Sequence, residues 1–319
     1  RTMQVAALTT LQISIGLTTA QLAALKTEQI SALTTTQVAN GLTTEQIIAL
    51  SSEQASSLRS QQIAALTTAQ LAALATEGVA SVKTVQIAAL TTMQVAQGLS
   101  TEQVDALTTT QIPGLTTRQI AAFTTEQVAA IETVDLQVFQ TTQLQAFTTT
   151  QVEQGFTTAQ IEALTTEQAA GLTLQQGNAL TTTQLQVLET ADVAALKSTQ
   201  IAAFTTANLA TLSSAQLQTL STSQVAALTT AQVGEGLQTN QIVALNGTQA
   251  AGLSTSQLRS LSSAQLQSLE TEDVAVLKTA QIAALTTDQV SQGLTTDQVE
   301  ALTEVQVPAL TNAQIAQGL

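Results

Sequence analysis

An eight-residue unit, copied along the whole chain, limits what this sequence can fold into. It reads Leu-Thr-Thr-x-Gln-Val-Ala-Ala, positions 1 to 8, and 38 units begin between Leu8 and Leu310. Self-similarity at a short fixed period marks a stacked array, because one unit cannot bury its own apolar face. A buried Leu and Val contribute roughly 1.5–3 kcal/mol each. Ordering eight residues costs about 1.5 kcal/mol per residue. Stability must therefore come from neighbouring units.

Three backbones compete for this unit. In one continuous helix, position 1 would drift by roughly 80° per unit. The apolar residues would then wind around the surface and leave no buried stripe. A β-helix needs alternation, yet positions 6, 7, 8 and 1 form a contiguous apolar run, and Ala and Gln are poor strand formers. A chain of very short helices fits. Thr at position 2 and Gln at position 5 have capping-box spacing, with Leu at position 1 and Val or Ile at position 6 as the hydrophobic staple. Ten acidic residues, from Glu28 to Asp297, occupy position 4, in the first turn, where the helix dipole favours negative charge. Position 2 also admits Lys26, Arg59, Ala75, Lys83, Glu132, Gln140 and Lys197, whereas position 3 is Thr or Ser almost throughout. That contrast shifts the expected N-cap to position 3, with position 2 as an exposed joint. In either register the helix covers roughly positions 3 or 4 to 8. The expected fold is all-α, a solenoid of one very short helix per unit over residues 1–319, without separate domains.

Phe123, Phe139, Phe147, Phe156 and Phe204 all stand at position 1, which marks it as the roomiest core site. Positions 7 and 8, mostly Ala, are expected close-packed or half-exposed. The Gln row reads as capping and inter-unit hydrogen bonding, with a ligand-binding ladder as the alternative. Asp135, Asp192, Asn208 and Asp273 replace Gln and keep a side-chain oxygen near helix N–H groups.

A longer period runs through the short one. Seven units end in an extra glycine: Gly16, Gly41, Gly98, Gly155, Gly236, Gly293 and Gly318. Gly41, Gly98 and Gly155 are spaced by seven units plus one residue, as are Gly236 and Gly293. Each suggests a helix one residue longer, ended by a C′ glycine with an apolar residue after it. Charge follows the same beat. Lys26 and Lys83 share this spacing. Glu189 precedes Lys197, and Glu270 precedes Lys278, by one unit. If successive units stack, each Glu faces the next Lys and marks register. The long period is a natural size for one superhelical turn.

Composition removes most chemistry. The chain has no His, Cys, Trp or Tyr, so no disulfide frame, Cys/His metal site or His-dependent triad is available. A net charge of −14 argues against nucleic acid and anionic membranes. Thr and Gln interrupt every apolar run, so no membrane insertion is expected. Glu270, Glu272 and Asp273 offer oxygens that Ca²⁺ accepts, but no calcium-loop pattern accompanies them. No catalytic, cofactor-binding or metal residue is assigned, and no enzyme is expected. Asn246-Gly247-Thr248 is a glycosylation sequon, unremarked in so Thr-rich a chain. The chain begins at position 2 and stops at position 1, without a polar capping repeat or cleavable signal. This suggests a slice of a longer array or a subunit whose ends meet its neighbours.

The string Leu-Thr-Thr-x-Gln-Val-Ala-Ala-Leu resembles the opening helix of TAL-effector repeats over about nine residues, without their second helix, base-reading loop or charge. Across its whole length the chain resembles Thr/Gln/Ala-rich tandem repeats of very large bacterial surface proteins, often labelled adhesins or haem-utilisation proteins. That resemblance implies an extracellular or cell-surface bacterial protein. The haem label finds no His, Cys or Tyr ligand here. The expected function is structural: a filament, sheath or surface layer in which the chain's partner is itself. The alternative is an adhesin stalk that presents a tip domain.

Overall fold

The computed structural model describes residues 2–318. Among them every regular element is a short helix, and no strand occurs. The fold is an all-helical solenoid, built from helices such as Thr19–Ala23, Thr44–Ile48 and Ser60–Ala65. The chain falls into two compact units, residues 1–164 and 165–319, and the eight-residue register runs through the boundary between them.

Position 2 is the N-cap, not position 3. Thr43, for example, is extended at φ −83°, ψ 164°, and its hydroxyl accepts from the Gln46 N–H. Gln46 Oε1 accepts the Thr43 N–H in return at 2.9 Å. This is the reciprocal capping box, with Gln at N3. The residues that argued against position 2 keep the half that matters. Lys26 and Lys197 have no side chain able to accept, yet their N–H groups still donate to Gln29 and Gln200, at 2.9 and 2.6 Å. The glutamine secures the N-cap amide whatever side chain precedes it. Position 3 opens the helix, as Thr27 does in Thr27–Ile30.

Burial follows the register. Positions 6 and 1 form the core, as in Ile47 and Leu50 or Val104 and Leu107, while position 5 is buried beside them. Positions 7 and 8 are exposed to half-buried, for example Ala64, Ala65, Ala72 and Ala73. Position 1 turns inward, where successive units meet. Phe139 and Phe147 lie with ring centroids 5.6 Å apart, and Phe147 and Phe156 at 5.0 Å. A hollow of about 10 Å³ between Ile63, Leu71, Val79, Leu90 and Leu99 is all that one stretch of the core leaves open. That is at the lower limit for a single water.

Helices stack on those three units away: Ser52–Ser57 on Thr76–Ser81, and Thr166–Gly171 on Thr190–Ala195. Side chains fix the offset more finely. Gln46 reaches the carbonyl of Ile13, at the end of one helix, and that of Leu17, before the next. Each helix thus sits over a junction in the turn before, like a staggered brick. The hydrogen bonds span 28 to 33 residues, so a turn holds about three and a half units. Seven units make two whole turns. The long period is therefore two turns of the coil rather than the one expected. It is the shortest stretch after which an identical unit returns to the same side.

Candidate functional site

The buried glutamine row is the chemical centre of the fold. Gln103 shows its full valency. Its Oε1 accepts the Ser100 N–H at 2.9 Å, and its Nε2 donates to Leu71 O at 2.9 Å and Leu74 O at 2.6 Å. The same rung recurs at Gln160, to Val128 and Ile131, and in the second unit at Gln265, to Val233 and Leu237. Short helices leave their last carbonyls without intrahelical partners. The amide of the next turn supplies them. One side chain thus caps its own helix start and the exposed end of another. At the buried rungs such as Gln103, Gln160 and Gln265 both ends of the amide are committed to backbone, so this part of the ladder is structural and offers no free face to a ligand.

The extra glycines do not act as left-handed caps, since no glycine among the described residues has positive φ. They close helices that are one residue longer, as expected, in Thr35–Gly41 and Thr92–Gly98. The next residue's N–H then reaches five residues back, as Leu42 to Gln37, Leu99 to Gln94 and Phe156 to Gln151, each at 3.0 Å. This is a π-type turn, the ordinary way a helix absorbs an insertion. Glycine is needed because the wider turn presses on the turn before. A Cβ on Gly98 would lie 3.3 Å from Thr68 Cα, and one on Gly155 3.0 Å from Val128 Cβ. Gly236 meets Thr206 Cα in the same way at 3.3 Å, Gly293 meets the end of the Leu266 side chain, and Gly41 has ordinary contact with Thr10 and Ile13 at 3.4 Å. Gly16 lies against its own helix, beside Gln12 O, and Gly318 ends the helix Asn312–Gly318.

Glu189, Lys197, Glu270 and Lys278 are N-cap residues of successive helix pairs. Successive units stand side by side around a turn, and stacking joins helices three units apart. The premise that each Glu faces the next Lys through stacking does not hold in this geometry. Phe123, Phe139, Phe147, Phe156 and Phe204 are all buried. Asn246 of the sequon caps Gly247–Ala250, its Oδ1 accepting the Gln249 N–H at 3.0 Å.

The ladder has three acidic rungs that sequence reading treated as ordinary caps. Asp135, Asp192 and Asp273 are 1–5% exposed. None forms the capping box, and in each case the residue at position 2 is a glutamate: Glu132, Glu189 or Glu270. Oδ2 of Asp192 and of Asp273 is buried without a hydrogen-bond partner. Burial, then Glu132 and Asp105, push the Asp135 carboxyl up to about 6. Burial, then Glu270 and Glu272, do the same for Asp273. Asp192 is raised by burial, opposed by a hydrogen bond from Thr166 and assisted by Glu189. At the surface the effect reverses. Glu45, Glu102 and Glu126 are held below the ordinary range by their own main-chain N–H at the helix start, and next by the N-cap hydroxyl.

Among the described residues no group of three or more acidic side chains is placed to hold a metal ion, and no helix is long and apolar enough to cross a membrane. The family model of the ALTTAQ repeat matches residues 16–40, 128–166, 178–206, 201–235 and 266–304, just over half of the chain. The chain belongs to the ALTTAQ repeat family. None of the curated proteins compared with it matches. The ALTTAQ motif falls on positions 8 to 5 of the unit, spanning the core Leu, the N-cap Thr and the ladder Gln. The family signature is thus the set of residues that close the rung.

Proposed function

We propose that this ALTTAQ repeat chain is a structural protein that forms extracellular bacterial filaments, sheaths or surface layers by stacking and lateral packing of its short-helix units. The observation that carries this reading is the commitment of the buried glutamine row and of the N-cap hydroxyls to the scaffold. The glutamine amides bond to backbone on both sides, as at Gln103 and Gln265. The N-cap hydroxyls close capping boxes, and the exposed faces are neutral Thr, Ala and Gln with few charges. Such a surface supplies hydroxyls and amides for side-to-side hydrogen bonds, which must outweigh the repulsion of a net charge of −14 per copy. Negative-stain electron microscopy of the purified chain, with light scattering across concentration, tests it. Polymers or ordered sheets are the expected result. A dispersed monomer at high concentration would overturn self-assembly and favour the stalk reading.

A further inference from the structure

The acidic rungs occupy places where the fold elsewhere requires a donor. Gln265 and Gln281 flank Asp273 in the ladder. Their amides donate to Val233 and Leu237, and to Ala250 and Leu253. The same register, one unit from each, points position 273 at the carbonyls of Ile242 and Leu245. A Cβ on Gly247 would lie 3.4 Å from Asp273 Oδ1, which places the carboxyl against the preceding turn. An ionised carboxylate has only acceptor lone pairs. It can neither bond a carbonyl nor leave water behind without cost. A protonated one carries an O–H and restores one donor of the missing amide.

We propose that Asp135, Asp192 and Asp273 are proton-controlled rungs, at which the hydrogen bond to a main-chain carbonyl of the preceding turn forms when the carboxyl is protonated and is lost when it ionises. Ionised Asp192 then keeps only the bond it accepts from Thr166. Surrounding charge reinforces the effect. Around Asp273, the helix Thr271–Ala275 and its N-cap carry Glu272 and Glu270. The stacked helix Gly247–Ala250 has no ionisable group, Thr296–Glu300 brings Asp297 and Glu300, and Lys278 begins the next unit. Around Asp192, Glu189 precedes it, Lys197 begins the next unit, Thr166–Gly171 brings Glu167, and Ser214–Gln218 brings no charge. Around Asp135 stand Glu132, Asp105 and, on Thr158–Glu162, Glu162.

The sign follows from linkage. These carboxyls hold their protons more tightly folded than unfolded. At Asp135 and Asp273 the folded state then binds more protons between the unfolded value near 4 and the folded value of about 6, and stability falls as pH rises through that window; Asp192, also raised, acts in the same direction. Above it the rungs stay broken, and the coil has soft joints at defined turns.

The test compares the wild-type chain with Asp135→Gln/Asp192→Gln/Asp273→Gln, in which the amide rung is complete at every pH. At pH 4.5, where each protonated carboxyl supplies one of the amide's two donors, the variant should melt modestly higher, and the gap should widen by several degrees by pH 7.5. In parallel, ¹³C NMR of the aspartate carboxyls in the wild-type protein reads the titrations directly, independent of whether the variant folds. Midpoints near 6 are expected for Asp135 and Asp273. Parallel melting profiles from pH 4.5 to 7.5, or carboxyl midpoints at or below 4, would overturn the proposal.

Discussion

Replacing one ladder glutamine by methionine keeps length and volume but removes all of its side-chain hydrogen bonds. At Gln103, which is 2% exposed, Met would leave the Ser100 N–H and the Leu74 carbonyl without the partners they have now. Leu71 O keeps the bond it accepts from Leu74 N. Orphaning the buried Leu74 carbonyl costs about 1–3 kcal/mol and losing the part-buried cap bond to Ser100 about 1 kcal/mol more, roughly 2–4 kcal/mol together, less whatever the thioether gains by burial. Gln21 provides the internal control. Its capping box matches that of Gln103, with Thr18 N donating at 3.0 Å and Gln21 N at 3.2 Å, but Gln21 is exposed. Gln21→Met should therefore show only the loss of a cap, about 1 kcal/mol. Urea titrations followed by circular dichroism give both values, and hydrogen exchange locates the loss if unfolding is not two-state. Gln103→Met should broaden exchange on both sides of the rung, in the turn of Leu74 as well as in its own. Equal losses for the two substitutions would refute the turn-to-turn ladder as a source of stability.

Substitutions at three further positions probe the packing. Gly177 stands at a core position where a Cβ would meet only Phe204 Cε1, at 3.9 Å; Gly177→Ala should stabilise by about 0.5–1 kcal/mol through helix propensity, read from the denaturation midpoint. Gly155→Ala pushes a methyl to 3.0 Å from Val128 Cβ, so it should destabilise by roughly 1–3 kcal/mol in the same assay. Phe147 has a ring neighbour on each side, and Phe147→Ala should cost about 3–5 kcal/mol and lower the melting temperature more than Phe147→Leu.

The helical unit was legible because capping and staple residues are local, and their spacing survives in the sequence. Four things were not. Lys26 and Arg59 at position 2 looked like failed caps, because a side chain was expected to hold the helix start. In the structure the N–H of that residue is held from Gln29 or Gln62 instead, so its side chain is free to vary. Inter-unit hydrogen bonding by the Gln row was expected, but its partners were invisible for a related reason. Its acceptors are main-chain carbonyls, identical at every residue, and a donor 28 or more residues away leaves no complementary letter. The same gap hid the turn length. The glycine beat gave the right period, but only the brick-like offset of Gln46 over Ile13 and Leu17 shows that two turns fit into it. The glycines themselves were read by backbone freedom, whereas Gly98 and Gly155 are set by the clearance to Thr68 and Val128.

Scalar couplings across the hydrogen bond test the central claim most directly, on protein labelled with ¹⁵N in the glutamine side chains and ¹³C in the leucine carbonyls. The coil requires the Gln103 side-chain amide to couple to the Leu74 carbonyl, 29 residues earlier. That cross-peak should vanish in Gln103→Met and also in Leu74→Ile, which removes the label. A Gln103 amide coupled to a leucine of the adjoining unit, or to no leucine carbonyl, would contradict the ladder and the turn of three and a half units built on it.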